Sequence, residues 1–342
     1  SSSSNNNNRD LSSCKQMRRG PAASDDVVAA APPVKRRRST WENPEGRSGC
    51  WRPTAAVGHC GNAPSTSDSS FLQPMAAVVR HNPGFWYLLP SDSDVPSTRT
   101  KPTSEEEDIA LMSRDEIERC SPSRKDGIDL VRETHLRYSY CAFLQNLGMR
   151  LDLPQMTIGT AMVLCHRFFV RRSHACHDRF LIATAALFLA AKSEETPCPL
   201  NNVLRASCEI CHKQDPAFLS YFLPVDWFEQ YRERVIEAEQ MILTTLNFEL
   251  NVQHPYTPLT SVLDKLGLSQ TVLVNLAWNL INEGLKSSLW LQFKPHHIAA
   301  GAAFLAAKFV NFDLACYQSV WQEFQTTPSI LRDVTQQLME LF

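Results

Sequence analysis

The stretch that decides the fold occurs twice: Ile182–Lys192 reads IATAALFLAAK, and Ile298–Lys308 reads IAAGAAFLAAK. The two stretches are 116 residues apart and are identical at 8 of 11 positions. Each is almost wholly apolar and rich in alanine, which is typical of a central helix that other helices surround on every side. A segment repeated at this distance predicts two tandem copies of one helical domain, each wrapped around its buried helix.

Apolar residues at helical spacing recur around each repeated stretch, with no alternating strand pattern between them. In the first copy the spacing predicts helices over residues 129–147, 155–172, 179–192, 200–211 and 227–246. In the second copy it predicts helices over residues 254–267, 270–286, 296–310 and 330–342. Asp178 and Ser329 are expected to cap two of these helices, and Gly148 is expected to end another. Ser113, followed by Glu116, predicts a short helix ahead of the first copy. The predicted fold class is all-α; the repeat predicts five helices in each copy, and in the second copy the spacing locates four of them.

Composition divides the 342 residues into a tail and a folded part. Residues 1–104 hold 11 of the 21 prolines, 17 serines, and 13 lysines and arginines against 8 acidic residues. Because such a stretch offers little apolar surface to offset the entropy lost on ordering, it is predicted to be a disordered, basic tail. Residues 105–342 hold 21 basic against 28 acidic residues and all of the sustained apolar periodicity. The predicted boundaries are 105–252 for the first helical domain and 253–342 for the second.

A compact basic run inside the tail consists of Lys35, Arg36, Arg37 and Arg38. Such a run is typical of a nuclear localisation signal or a nucleic-acid contact, and equally of a solvated tether, so the choice stays open. No run of about eighteen apolar residues occurs, so we expect no membrane-spanning helix, and the polar beginning of the chain does not resemble a secretory signal. We therefore expect the eleven cysteines to remain reduced.

Motifs for catalysis and for cofactors are absent or weak. The sequence has no glycine-rich phosphate loop, no GxSxG elbow and no HExxH. Residues 208–212 read CEICH, the CxxCH pattern of covalent haem, and residues 174–177, HACH, could join them in a zinc site. The simpler explanation is that cysteine within an amphipathic helix behaves as a small hydrophobe. Of the neighbouring His296 and His297, one is expected to face solvent and the other to face the core. We expect no catalytic residue, no metal and no cofactor.

Two further stretches carry a family resemblance. The ten residues from Phe188, FLAAKSEETP, resemble the signature of the first cyclin box, and Ile236–Leu250, IEAEQMILTTLNFEL, resembles the end of that box. Residues 121–124, SPSR, and 166–169, HRFF, are similar to the transcriptional cyclins of the T and K type, above all to plant cyclin T. The resemblance covers roughly residues 110–342. It implies that the two predicted domains are tandem cyclin boxes.

In that family the fold binds a cyclin-dependent kinase and holds a helix of the kinase in its active position. The resemblance implies that Lys192 and Glu239 grip the kinase, and that Leu243, Phe248 and Leu250 add apolar contact. Leu243 follows Glu239 by four residues, which places both on one helix face. The residues alone favour an intramolecular Lys192–Glu239 pair beside three core side chains, whereas the resemblance favours the kinase contact.

The function that the resemblance implies is that of a nuclear regulatory subunit. It would form a heterodimer with a transcriptional cyclin-dependent kinase, which phosphorylates the C-terminal repeats of RNA polymerase II. The alternative is a tandem cyclin fold that binds nucleic acid, as in transcription factor IIB. Such a protein needs basic surface to neutralise phosphates, whereas residues 105–342 have an excess of seven acidic residues, so we expect no direct nucleic-acid contact. Lys308 is expected to be structural, with its stem along the apolar surface.

Overall fold

The computed structural model describes residues 71–81, 111–211, 225–269, 272–317 and 319–342, and all regular secondary structure within these ranges is helical. This confirms the predicted all-α class. None of the described helices is long and apolar enough to cross a membrane. The basic run at residues 35–38 lies outside the described residues.

The first repeat is built from a short helical lead and five longer helices. The lead comprises α2 (Arg114–Cys120) and α3 (Pro122–Lys125), and the five helices are α4 (Leu130–Arg150), α5 (Gln155–Phe169), α6 (Arg179–Ser193), α7 (Leu200–Cys211) and α8 (Val225–Thr245). Side-chain caps begin several of them. Ser113 accepts a hydrogen bond from the Glu116 amide, and Asp178 accepts from the Phe180 and Leu181 amides, as the capping patterns predict.

The second repeat repeats the order with shorter pieces. Its helices are α9 (Tyr256–Lys265), α10 (Val272–Gly284), α11 (Leu289–Gln292), α12 (Pro295–Phe309), α13 (Val320–Glu323) and α14 (Pro328–Met339), with a 3₁₀ turn at Leu314–Cys316. The last helix begins earlier than predicted, because Thr327 rather than Ser329 caps it by accepting from the Ile330 amide. It also ends at Met339, three residues before the predicted end.

Each repeated stretch forms the central helix of its repeat. In α6 the residues Ile182–Leu187 are all buried, and α4, α5, α7 and α8 pack around them. In α12 every residue of 298–307 is buried, and α9, α10, α11 and α14 surround it. Alanine and glycine let these neighbours approach closely; a β-carbon on Gly301, for example, would collide with Val334 of α14. The prediction of two copies around two buried helices matches this packing.

Two neutral histidines join the repeats. His166 Nε2 lies 2.7 Å from the Leu285 carbonyl, which can only accept, so this nitrogen carries the proton. Its Nδ1 therefore accepts from the Tyr140 hydroxyl at 2.6 Å. Burial is the main cause that lowers the pKa of His166 to about 3, which keeps the ring neutral. On the second link, His254 Nε2 lies 2.8 Å from the Thr160 hydroxyl, which itself donates to Glu194.

Gly148 does not end α4, contrary to the prediction. The helix continues to Arg150, and Gly148 is buried within it. A β-carbon at this position would collide with the Ile158 side chain of α5. The glycine is therefore explained by the close approach of two helices, and not by a left-handed stop.

One segment of the predicted tail is helical and packed. Helix α1 (Leu72–Arg80) buries Leu72, Ala76 and Val79, which recur at helical spacing, and it lies against α12 of the second repeat. The expectation of disorder over residues 1–104 is therefore corrected for residues 71–81. Its apolar face gives only a weak signal in the sequence, because a nine-residue helix is short against the Ser/Pro-rich composition around it.

Candidate functional site

The two charged residues of the predicted site lie together at the edge of the first repeat. Lys192 is in the last turn of α6, Glu239 is in α8, and the Lys192 ammonium forms a salt bridge with a Glu239 carboxylate oxygen. The lysine side chain is 44% exposed and the glutamate side chain 8% exposed. The pair is thus intramolecular, and its lysine half is open to solvent.

Helix packing places this pair. On α8, one apolar face is buried, at Val235, Ala238 and Ile242, and this helix packs against α6. Glu239 follows Ala238 directly, so its carboxylate emerges at the margin of the buried face. A carboxylate taken out of water at this margin needs a partner, which the lysine at the end of α6 supplies.

Phe188 contacts the lysine through a cation–π interaction. It lies one helical turn before Lys192, and the ammonium sits 4.2 Å from the centre of its ring. The ring is only half-buried, so it adds apolar surface beside the ion pair. A cation over an aromatic face is held in place, which limits the freedom of the long lysine side chain. Phe188 is a site residue that the sequence prediction passed over, although its spacing of four residues from Lys192 is visible in FLAAK.

The three apolar residues of the prediction have different environments. Leu243 and Leu250 are half-buried and pack against the core, whereas Phe248 is 65% exposed. Phe248 also has φ of 63°, a left-handed conformation that a bulky L-residue rarely adopts. Its amide donates to the Leu243 carbonyl at 2.9 Å, which fixes the turn after α8. The fold thus holds an aromatic ring in solvent at a cost in backbone strain.

The matching edge of the second repeat is closed. Lys308 stands 5.1 Å over the ring of Phe304, as Lys192 stands over Phe188. Phe304, however, is only 3% exposed, and Trp321 of α13 packs against it. Burial lowers the pKa of Lys308, and the nearby carboxylate of Asp313 partly offsets this shift. Repeated local sequence therefore forms an open edge in one repeat and a covered edge in the other.

The metal and haem sites that the CxxCH and HACH patterns suggest do not assemble in the described ranges. Cys208 is buried in α7, burial raises its pKa to about 12, and His212 lies outside the described residues. His174 stacks on Phe169 with ring centres 3.8 Å apart. Within the described residues, no group of three or more His, Cys, Asp or Glu side chains could hold a metal ion.

The paired histidines at the start of α12 also differ from expectation. His296 and His297 are both half-buried and their rings touch edge to face, so they do not divide between solvent and core. His297 Nε2 lies 3.2 Å from the Gln325 carbonyl. These contacts tie the start of the helix to a neighbouring loop.

Comparison with known proteins places this architecture in a family. The family described as "Cyclin, N-terminal domain" matches residues 108–251. Cyclin-T1-4 of Arabidopsis thaliana is 49% identical over 255 residues, which are 73% of this chain and 47% of that protein. Cyclin-T1-3 of Oryza sativa subsp. japonica is 53% identical over 233 residues, which are 68% of this chain and 48% of that protein. The chain thus spans about half the length of these relatives.

A shorter relative and a solved structure complete the comparison. The putative cyclin-T1-1 of Arabidopsis thaliana is 36% identical over 237 residues, which are 67% of this chain and 92% of that protein. The crystal structure of the yeast RNA Pol II CTD kinase CTDK-1 complex contains a chain with a TM-score of 0.58 and 21% identity; the match covers 67% of this chain and 71% of that chain. That likeness extends the shared fold to a solved protein. Repeats, central helices and sequence identity agree: the chain belongs to the cyclin family, among cyclins of the T type.

Proposed function

We propose that this protein is a regulatory subunit that binds and activates a cyclin-dependent kinase of the transcription-elongation type. The complex phosphorylates the C-terminal repeats of RNA polymerase II and works in the nucleus. The protein itself performs no chemistry. One observation carries the proposal: the Lys192–Glu239 edge is open in the first repeat, while the equivalent edge of the second repeat is covered by Trp321.

The open edge has the composition of a protein-binding surface. A half-exposed ammonium and the carboxylate beside it offer charge-assisted hydrogen bonds to a partner backbone or to a charged side chain. Phe188 places a half-buried aromatic ring beside the ammonium, and Phe248, in the turn after α8, exposes a second ring to solvent. Aromatic anchors around a few fixed polar groups are the usual arrangement at the centre of an interface.

Activation works through a shift of the kinase between two states. A kinase is active when the Glu of its C-helix pairs with the Lys that binds ATP. A partner that binds this arrangement more tightly than the inactive one raises its population by the difference in affinity. The rigid edge formed by α6 and α8 suits this task because its lysine is already held by Glu239 and Phe188 before the kinase binds.

Relatives support the choice of kinase class. Plant T-type cyclins share about half of their aligned residues with this chain. The fold also resembles that of one chain of the yeast RNA Pol II CTD kinase CTDK-1 complex. The excess of acidic residues over 105–342 favours a protein partner over duplex DNA.

The test uses a purified elongation-type cyclin-dependent kinase and a peptide of the polymerase C-terminal repeats. The wild-type chain should stimulate phosphorylation, and Phe248→Ala should weaken kinase binding by about 1–3 kcal/mol because it removes an exposed aromatic anchor. Val272→Ala is the matched control, since Val272 is an equally exposed apolar residue of the second repeat. Equal kinase affinity of the two variants would refute the assignment of this edge. Failure of the wild-type chain to stimulate the kinase would refute the function.

A further inference from the structure

A small cavity lies between α5 and the end of α8 on one side and α11 on the other. Its volume is about 50 Å³, which is room for about four water molecules or for a group the size of acetate. Its apolar walls come from Leu111, Met112, Val170, Leu246 and Leu291. Because α11 belongs to the second repeat and contacts α5 of the first, the cavity forms where the two repeats meet.

One buried donor at this cavity has no acceptor. Trp290 of α11 lines the cavity and is 7% exposed. Its indole Nε1 is fully buried, and no described residue accepts a hydrogen bond from it. An indole N–H can only donate, and a buried donor without an acceptor costs free energy. The fold therefore leaves one donor unused in the residue that forms this wall.

Two arginines give the cavity an excess of positive charge. Arg167, near the end of α5, and Arg171, just beyond it, line the cavity together with the single carboxylate of Glu249. They donate to the carbonyls of Asn251 and Thr245 at 2.9 and 2.8 Å, respectively, and neither forms a salt bridge with a carboxylate in the described part of the chain. Burial is the main cause that lowers the pKa of Arg167, although Glu249 opposes it. A guanidinium has five N–H donors, so one carbonyl leaves donors for a ligand.

The position of the cavity indicates where such a ligand comes from. Glu249 lies in its wall, and the neighbouring Phe248 and Leu250 belong to the edge proposed to bind the kinase. A kinase bound at that edge therefore lies beside the cavity. The choice of the kinase rests on the proposed function, whereas the preference of the cavity for an anionic acceptor does not.

We propose that this cavity binds the carboxylate of an acidic side chain of the kinase, which accepts from the Trp290 indole and from Arg167 or Arg171. A carboxylate has two oxygens that only accept, so it satisfies a neutral donor and a guanidinium at once. It also neutralises a guanidinium that burial has partly taken out of water. The apolar walls cover the methylene groups that carry the carboxylate. The site thus reads one acidic residue of the partner.

The test follows the indole N–H of Trp290 by NMR in the full chain labelled with ¹⁵N-tryptophan, and Trp290→Phe assigns the resonance. The probes are the peptide acetyl-Leu-Glu-Leu-amide, its counterpart with glutamine, and acetate. The glutamate peptide should move the indole proton downfield and saturate, and it should bind at least about tenfold more tightly than the glutamine peptide, because its hydrogen bonds are charge-assisted. An absent shift, or equal affinity of the two peptides, would overturn the proposal. A glutamate peptide that binds no better than acetate would indicate a site for a free small anion, which also overturns it.

Two arginine variants show whether the carboxylate meets the cavity. Arg171→Gln should weaken binding of the glutamate peptide about tenfold, and the exposure of Arg171 favours a folded variant. Arg172→Gln is the matched control, because Arg172 also contacts Thr245 but does not line the cavity. Equal losses in both variants would mean that general charge attracts the peptide, and would overturn the proposal.

The source of the side chain is tested with the purified kinase. Its affinity should fall for Arg171→Gln and stay unchanged for Arg172→Gln. Unchanged affinity for Arg171→Gln would exclude the kinase as the source and overturn the proposal, while the proposed function would stand. Failure of the wild-type chain to bind the kinase would instead refute the proposed function, and the peptide titration would still report on the cavity. Peptide binding that requires neutralising the acidic residues 105–108 of this chain would identify an internal occupant, which overturns the proposal.

Discussion

Replacing Lys192 and Lys308 each with methionine compares two lysines that end equivalent helices. Methionine keeps an unbranched apolar stem and removes the ammonium, so the loss of charge is isolated from the loss of packing. Each lysine stands over a phenylalanine four residues earlier. They differ in what else they contact, because Lys192 forms a salt bridge with Glu239, whereas Lys308 is near a buried ring that Trp321 covers.

The expected loss of stability follows from Glu239. In Lys192→Met its carboxylate, 8% exposed, loses its cation. An unsatisfied buried polar group costs about 1–3 kcal/mol, and because the lysine is 44% exposed and the pair partly screened by water, we expect about 1 kcal/mol. In Lys308→Met the free energy of unfolding should change by less than about 0.5 kcal/mol, since desolvation already disfavours the charge there.

The expected loss of kinase binding is larger and one-sided. Lys192→Met should weaken binding by about 1–3 kcal/mol, the usual scale for an interface anchor, whereas Lys308→Met should leave it unchanged. Calorimetric titration with purified kinase gives the affinity, and urea unfolding of the same samples gives the stability. Glu239→Gln separates the two contributions of Glu239, because it keeps a hydrogen-bond acceptor for Lys192 while removing the negative charge.

Two outcomes would refute this reasoning. An equal loss of affinity in both lysine variants would mean that the kinase contacts the two repeats alike. A loss of about 1 kcal/mol in unfolding free energy for Lys192→Met with undiminished kinase affinity would mean that the ion pair serves the fold alone.

Two further predictions concern the tail and acid. Removing residues 1–104 removes α1 and should lower the melting temperature, measured by calorimetry, by a few degrees. Cooperative unfolding and kinase binding should persist. A deletion of residues 1–70, which retains α1, is the control. Stability should fall as the pH drops below about 6.5, because His166 and His174 have a folded pKa of about 3 and only the unfolded chain takes up their protons. Each contributes up to about 1.4 kcal/mol per pH unit, and a urea midpoint unchanged from pH 7.5 to 5 would contradict this.

Local signals in the sequence were enough for most of the fold. Asp178 caps α6 through two amides, Ser113 caps α2, and α7 spans the predicted residues 200–211. Each of these features depends on residues within one or two helical turns. The two alanine-rich stretches identified the central helices because a helix without a polar face has to be surrounded.

Features set by distant contacts were beyond such signals. Gly148 looks like a helix stop because nothing in its neighbourhood reveals that Ile158 will pack against it. Helix α1 has an apolar face of three residues, which becomes meaningful only when α12 covers it. The His166 link between Tyr140 and Leu285 joins residues more than a hundred positions apart.

The candidate site shows where a repeated sequence stops predicting a repeated function. FLAAK places a lysine over a phenylalanine in both repeats, and the local geometry is accordingly alike. The difference arises from the fifth helix and the loop beyond the lysine: α8 brings Glu239 to Lys192, while α13 brings Trp321 onto Phe304. Covering the ring removes the apolar surface that a partner would bury, and leaving it open preserves that surface. Duplication thus supplied two similar edges, and the elements packed against them left one available for binding and closed the other.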